Sequence, residues 1–388
     1  MYNDKIRLYN LGDSLYSLLI VLMLMGYPIF SILATILHND NLTIMYRGLC
    51  LLVGILVLIM PCSCLESKNK YSITQLLVVA IHIIYLSWVF TYFSRGYHNE
   101  NLDLSFYINN SLLFSLLPVM FLTKNVTYEF YPLLKKHIKS FVIIFIIITF
   151  YGYAIGLSDE YRLSFEKINP ISLCLFAAIA SILTNWAFET KLARYSVILL
   201  LMSIMVLSGS RGPVVALIAV VALYIFFQMR MSKKLYFATL GIVLISLVGF
   251  FYDSAVEYIP ILSRFNFATT EGGLSVNIRE EQYKSAIDIF INNPFFGNSL
   301  VEHFANFYPH NIILEILITG GVTLFVIYLL VFIFFISELI NASRRHVPTG
   351  FIMVFFLLFI AYMFTSSLAG IGLLYFTIVL ISKMNVGE

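Results

Sequence analysis

The chain has 388 residues, 60% of them hydrophobic and 12% charged, with a mean hydropathy of +0.90 and a net charge of +3. A soluble domain is about 45–50% apolar and about 25% charged. The composition therefore excludes an ordinary soluble enzyme and predicts an all-α polytopic membrane protein. The small net charge gives no footing for nucleic acid, and Cys50, Cys62, Cys64 and Cys174, all in or beside apolar runs, argue against a disulfide framework.

In chain order, the opening MYNDKIRLYNLGDS is too polar to begin a cleaved leader. Apolar runs near the length of a membrane helix, about 20 residues, then fall at 13–37, 43–62, 73–93, 104–122, 140–157, 170–188, 193–208, 212–229, 234–252, 311–336, 350–365 and 369–384. The expectation is one transmembrane bundle over 1–388 with about 12 helices, the last two short enough to be one broken helix. With the N-terminus in the cytoplasm, the inner segments hold sixteen lysines and arginines and the outer segments seven, while Arg47 lies inside a span near its outer end. That bias places both termini in the cytoplasm. Residues 253–310 form the one large outer loop, between predicted spans 9 and 10, and a long loop in a compact fold is usually functional or disordered.

Three stretches carry the candidate chemistry. LSGSRGPVVALIAV (207–220) splits an apolar run into two helices: Gly209 and Gly212 permit a turn, Pro213 suits a first helical turn, and Arg211 sits at a helix N-terminus. Backbone N–H groups and the helix dipole already make that end positive, so an added arginine suits an anion; a plain turn with an interfacial arginine is the alternative. NIREEQYKSAIDIF (277–290) reads as an amphipathic loop helix ended by NNPFFG. At 100° per residue Arg279, Tyr283, Ala286 and Phe290 share one stripe. Arg279 then either snorkels along lipid or points into a cavity, where its planar fork binds phosphate in two places.

YPHNIILEILITGG (308–321) repeats the helix-start device. Pro309 predicts a helix whose first turn holds His310 and Asn311, and a positive helix end keeps a histidine neutral, as a general base requires. The alternative is an interfacial histidine with an ordinary cap. Glu315 lies one turn deeper on the same side. A carboxylate there is costly, so it either orients Asn311, pairs with an arginine or is itself the base. No metal-ligand spacing, DxD pair or phosphate loop of the GK[ST] kind occurs, so the expectation is a basic site with no metal and no cofactor at the outer membrane boundary. A lipid-linked phosphate or pyrophosphate suits it.

These three stretches, in this order, resemble the O-antigen polymerase and O-antigen ligase superfamily, over about Leu207 to Val322. The chain looks like the Wzy type of polymerase, from the inner membrane of Gram-negative bacteria. The resemblance implies a GT-C-like glycosyltransferase with a periplasmic active site, acting on oligosaccharides carried by undecaprenyl pyrophosphate. It would move the growing glycan from its carrier to the non-reducing end of a new lipid-linked repeat unit. Arg211 and Arg279 would bind the pyrophosphate, with Asn311 beside the substrate. His310, or Glu315 in second place, would be the base. Membrane lipids, a chain-length regulator and a flippase are the partners it implies. The ligase alternative transfers the same glycan to lipid A–core. Its pattern of His-Asn, nine residues and a glycine is met by His310, Asn311 and Gly321, but Leu324 departs from it at the last position. A flippase for the same lipids, or a scaffold subunit, are readings of other classes. Transport is disfavoured because few charges lie mid-span.

Overall fold

The computed structural model describes residues 2–61, 71–97, 99, 102–158, 162–228, 239, 241, 246 and 270–384, with side chains from Leu11 onward and, in the loop helix, from Asn277 onward. Helix α1 (Tyr2–Val21) runs through a π-helical turn, Leu22–Gly26, into α2 (Tyr27–Ile36). Next come α3 (Asn41–Ile59), α4 (Ile73–Ser94), and α5 (Leu104–Ile108), which continues through a second π-helical segment, Asn109–Leu116, into α6 (Leu117–Met120). Helices α7 (Tyr131–Ala154), α8 (Pro170–Ala187), α9 (Lys191–Ser208) and α10 (Arg211–Gln228) follow. The chain ends with α11 (Thr270–Asn292), α12 (Ile312–Arg344), α13 (Thr349–Thr365) and α14 (Gly372–Lys383). No strand occurs among the described residues.

Helices stand at eleven of the twelve predicted spans. The ninth, 234–252, lies outside the described residues apart from Thr239, Gly241 and Ser246, as does 253–269 of the predicted loop. Six of the described helices are long and apolar enough to cross a membrane: Leu11–Ile36, Asn41–Ile59, Ile73–Ser94, Pro170–Ala187, Lys191–Ser208 and Ile312–Arg344. Their outward faces stay apolar, as at Leu199 and Leu330, and so does that of the shorter α10, at Ile218 and Phe227, all exposed. An apolar belt of this kind meets lipid, because only helices satisfy their own backbone there. The last two spans are separate helices, divided at Ser366–Ile371.

Polar caps fix where the helices begin. Asn169 accepts from the Ser172 N–H at 2.7 Å to start α8. Ser72 and Gln75 form a reciprocal capping box at α4. Gly209 ends α9 in the left-handed region, φ +62°. Gly212 does not turn the chain as the sequence suggested. It lies inside the first turn of α10, where an added Cβ would come within 3.1 Å of Thr365 at the end of α13. The second glycine is thus a close-packing residue. Helices α8 and α9 are joined by three residues and pack side by side, so the α9–α10 turn, the start of α8 and the end of α13 share one face of the bundle.

Candidate functional site

The loop helix and the start of α12 are built as one unit. Ala286 and Ile289 of α11 pack with Ile318 and Leu314 of α12 in a small apolar cluster. Arg279, two turns earlier on that same face, is half-buried, as the stripe reading predicts. Beyond α11 the turn Pro294–Gly297 enters a break in α12 at Gly321, whose φ of +61° and ψ of −157° leave the helix. The break frees backbone groups, and the turn satisfies them. Val322 N–H donates to the Pro294 carbonyl at 2.7 Å, and Asn298 N–H donates to the Ile318 carbonyl at 3.0 Å. The Thr323 hydroxyl reaches the Phe295 carbonyl at 2.7 Å, and the Tyr92 hydroxyl reaches the Thr319 carbonyl at 2.7 Å. Irregular backbone is tolerated at membrane depth only with such partners.

His310 is not in the first turn of a helix. Asn311 is the N-cap, its Oδ1 accepting from Ile313 N–H at 3.0 Å and Leu314 N–H at 3.2 Å, and helix α12 begins at Ile312. The residue before the cap turns the other way, and His310 has φ +53°. A left-handed conformation at a residue with a Cβ costs about 1–2 kcal/mol, and strain of this kind concentrates at functional sites. The turn presents the imidazole edge-on to Tyr308, with ring centroids 4.7 Å apart, and close to the Thr365 backbone. Its Nδ1 is buried with no hydrogen-bond partner among the described residues.

Burial first, and the Arg279 guanidinium second, push the His310 pKa down to about 4. The ring is therefore neutral near pH 7 and holds a nitrogen lone pair ready for a proton. Burial also pushes the neighbouring Tyr308 hydroxyl up, to about 12, so it stays a neutral donor. Arg211, half-buried, opens α10 beside Gly212, which packs on Thr365, a residue whose backbone lies near His310. The start of α10 thus packs on the end of α13, and the strained histidine lies beside that end and within reach of the Arg279 charge.

Glu315 takes neither of the first two roles weighed for it. Its carboxylate, 1% exposed, does not reach the Asn311 side chain, and no cation pairs with it among the described residues. Its Oε2 accepts from Leu368 N–H at 2.7 Å. It pins the turn after α13, whose Thr365, Ser366 and Ala369 share a cavity wall with His310. Glutamine at 315 keeps an acceptor for Leu368 N–H, whereas leucine leaves that buried donor unmet, at a cost of about 1–3 kcal/mol. In thermal unfolding, Glu315→Leu is expected to fall well below Glu315→Gln. Equal losses would mean that the contact with Leu368 is not what the carboxylate supplies.

Sequence reasoning passed over Tyr308, although it stands in the stretch that drew attention, and Thr365, whose backbone position leaves no trace in a sequence. Within the described residues no group of three or more His, Cys, Asp or Glu side chains is placed to hold a metal ion.

No curated protein matches the chain at a significant level. Residues 196–329, 134 of the 388, match the family model described as O-antigen ligase. The matched stretch contains Arg211, Arg279, His310, Asn311, Glu315 and Gly321. Over that third of the chain the match supports a likeness to the O-antigen polymerase and ligase superfamily, and the six long apolar helices among the described residues suit a multi-pass membrane protein.

Proposed function

We propose that the chain is a metal-independent membrane glycosyltransferase of the polymerase kind. It moves a growing glycan from undecaprenyl pyrophosphate to the non-reducing end of a new lipid-linked repeat unit, at the periplasmic face of a bacterial inner membrane. The observation that carries this reading is a neutral, strained His310 beside the Arg279 guanidinium at a helix start. In the reaction the acceptor hydroxyl oxygen attacks the anomeric carbon of the donor sugar. The bond from that carbon to the pyrophosphate oxygen breaks, and its electron pair leaves with the carrier pyrophosphate. The hydroxyl proton passes to His310.

Arg211 and Arg279 hold the departing pyrophosphate, where charge grows in the transition state and fixed cations act most strongly. Asn311 and Glu315 are positioning groups in this scheme: one caps the helix that starts at the site, and the other fixes the turn that faces His310. The donor anion is held at the rim, and its isoprenoid tail lies in the bilayer. GT-C architecture and cytoplasmic termini belong to the same reading.

The ligase reading shares the donor and differs in the acceptor, and the description of the matching family favours keeping it in view. A lipopolysaccharide gel on a strain lacking this gene separates them. A polymerase null carries core plus one repeat unit, and a ligase null carries bare core. Rescue with Arg211→Ala or Arg279→Ala is expected to give no ladder from correctly inserted protein. A normal ladder from both would remove the arginines from the reaction, and unchanged long chains in the null would remove both readings.

A further inference from the structure

One large cavity lies beside His310. It holds about 600 Å³ between α2, α3, the second π-helical segment, α8 and the turn after α13, and it is open on the side where Arg47, Asn109 and Leu113 are exposed. His310 lies on its wall, whereas Arg211 and Arg279 do not. That volume is ordinary for a ligand site, about 300–1,000 Å³. Most of its wall, on α2, α3, the π segment and α8, lies outside the matched residues 196–329.

The wall is built from irregular backbone. Both π-helical segments among the described residues contribute to it, Leu22–Gly26 through Met23 and Asn109–Leu116 through Asn109, Asn110 and Phe114. A π-bulge adds a residue to a helical turn, re-aims the side chains after it, and is found mostly at functional sites. Here it brings two successive asparagines to one cavity. Asn110 donates its amide N–H to the Phe106 carbonyl at 2.8 Å, which leaves its own carbonyl oxygen to accept. Asn109 makes no side-chain hydrogen bond among the described residues. The first π turn is steadied by the Tyr46 hydroxyl, which donates to the Leu22 carbonyl at 3.0 Å.

Among the described residues Arg47 supplies the one fixed charge on the wall, and no carboxylate lines it. Its guanidinium lies over the Phe114 ring, 4.3 Å from the centroid, with no acidic partner among the described residues. An arginine inside a candidate span faces a cavity or a partner by default. The groups presented are therefore amides that both donate and accept, a five-donor fork, and aromatic faces from Phe114 and Phe176. Hydroxyl groups both donate and accept, and the C–H faces of a sugar ring lie flat on aromatic rings. A bare hydrocarbon tail would leave the asparagines and Arg47 unpaired.

We infer that this cavity is the acceptor site: it takes the accepting saccharide, and Arg47, Asn109 and Asn110 hold its hydroxyl oxygens so that one hydroxyl reaches His310. The inference rests on the transfer reading above and adds the side from which the second substrate arrives. His310 then stands between two compartments, with the donor anion on the arginine side and the acceptor in the cavity.

The test is photo-crosslinking of the full-length protein in cells that make the native glycan. The photoreactive residue p-benzoylphenylalanine replaces Leu113 on the cavity wall, or Tyr283, one turn from Arg279, or Leu330 on the outward face as control. Adducts are identified by mass. A saccharide adduct is expected at 113 and at 283, and only phospholipid at 330. Arg47→Gln should cut capture at 113 by about tenfold, the worth of one charged hydrogen bond, with Arg47→Lys between, and leave 283 unchanged. The double change Arg211→Ala with Arg279→Ala should abolish capture at 283 and spare 113.

Phospholipid alone at 113, or capture there that ignores Arg47→Gln, overturns the inference while saccharide at 283 keeps the transfer reading. Loss at 113 in the double variant means that the cavity holds the donor, and also overturns it. No saccharide at either position sinks the transfer reading itself.

Discussion

Alanine in place of His310 is expected to lower glycan transfer by about 10²–10⁴-fold, the usual contribution of a general base, with the protein still inserted and folded. The fold should not suffer, because the histidine sits at φ +53° in a turn before the N-cap rather than in the helix. His310→Gly even removes the left-handed penalty of about 1–2 kcal/mol. Stability that rises or holds in His310→Gly while transfer is lost separates chemistry from scaffolding. Transfer that survives in both variants would remove the histidine from the reaction.

The same residue sets an expected pH profile. Its pKa of about 4 means that the base form persists down to mildly acidic pH, so the acid limb of the rate should lie near 4. The Arg279 guanidinium is part of the cause: a fixed positive charge opposes protonation of its neighbour. Arg279→Gln removes that opposition, so the acid limb of the residual activity should move up, toward the ordinary histidine value of about 6.5. Stability carries the matching sign. The folded pKa lies below the unfolded one, so the unfolded chain binds the extra proton first, and stability is lost as pH falls from about 6.5 toward 4. An acid limb that stays put in Arg279→Gln would show that the two groups are not electrostatically coupled.

The helices were legible because each is a run of apolar residues at bilayer length, and eleven of the predicted spans fall on described helices, most within a few residues; α1 begins eleven residues before its apolar run, and α12 continues eight residues beyond its own. Helix α7 begins nine residues early, at Tyr131, since Lys135, Lys136 and Lys139 prolong the helix without prolonging the apolar run. The buried stripe of the loop helix was legible too, because 3.6-residue periodicity places Arg279 with Ala286 whatever the tertiary contacts are. What failed were inferences that depend on backbone partners. Pro309 suggested a helix start at His310, yet the side chain of Asn311 captures the first N–H groups and moves the start to Ile312. Gly212 suggested a turn, yet its lack of a Cβ is used against Thr365. The two π-helical segments have no compositional signature, so the cavity they line, and Arg47 on its wall, could not be read from spacing.

The second large effect is expected at Gly321. Its φ of +61° and ψ of −157° fall in a region open in practice to glycine alone, where a side chain costs about 1–3 kcal/mol. A Cβ there would also lie 2.4 Å from the Phe295 carbonyl carbon, and across the contact a Cβ on Gly297 would lie 2.4 Å from the Ile318 oxygen. Backbone meets backbone at both positions, so neither clash is relieved by a rotating side chain. Gly321→Ala is expected to expel the Pro294–Gly297 turn from the break and to expose the Val322 N–H and Ile318 carbonyl it satisfies. The loop helix then loses its seat on Leu314 and Ile318, and Arg279 no longer faces His310. Amide exchange at Val322 should rise, proteolysis within 293–309 should quicken, and transfer should fall with them. The double variant with Gly297→Ala should cost less than the sum of the two, since either change alone undocks the same turn. Gly48→Ala is the control, because a Cβ on Gly48 in α3 meets nothing within 4 Å. If Gly321→Ala behaved like that control, the loop would not be held by the broken helix, and the alignment of Arg279 with His310 would need another cause.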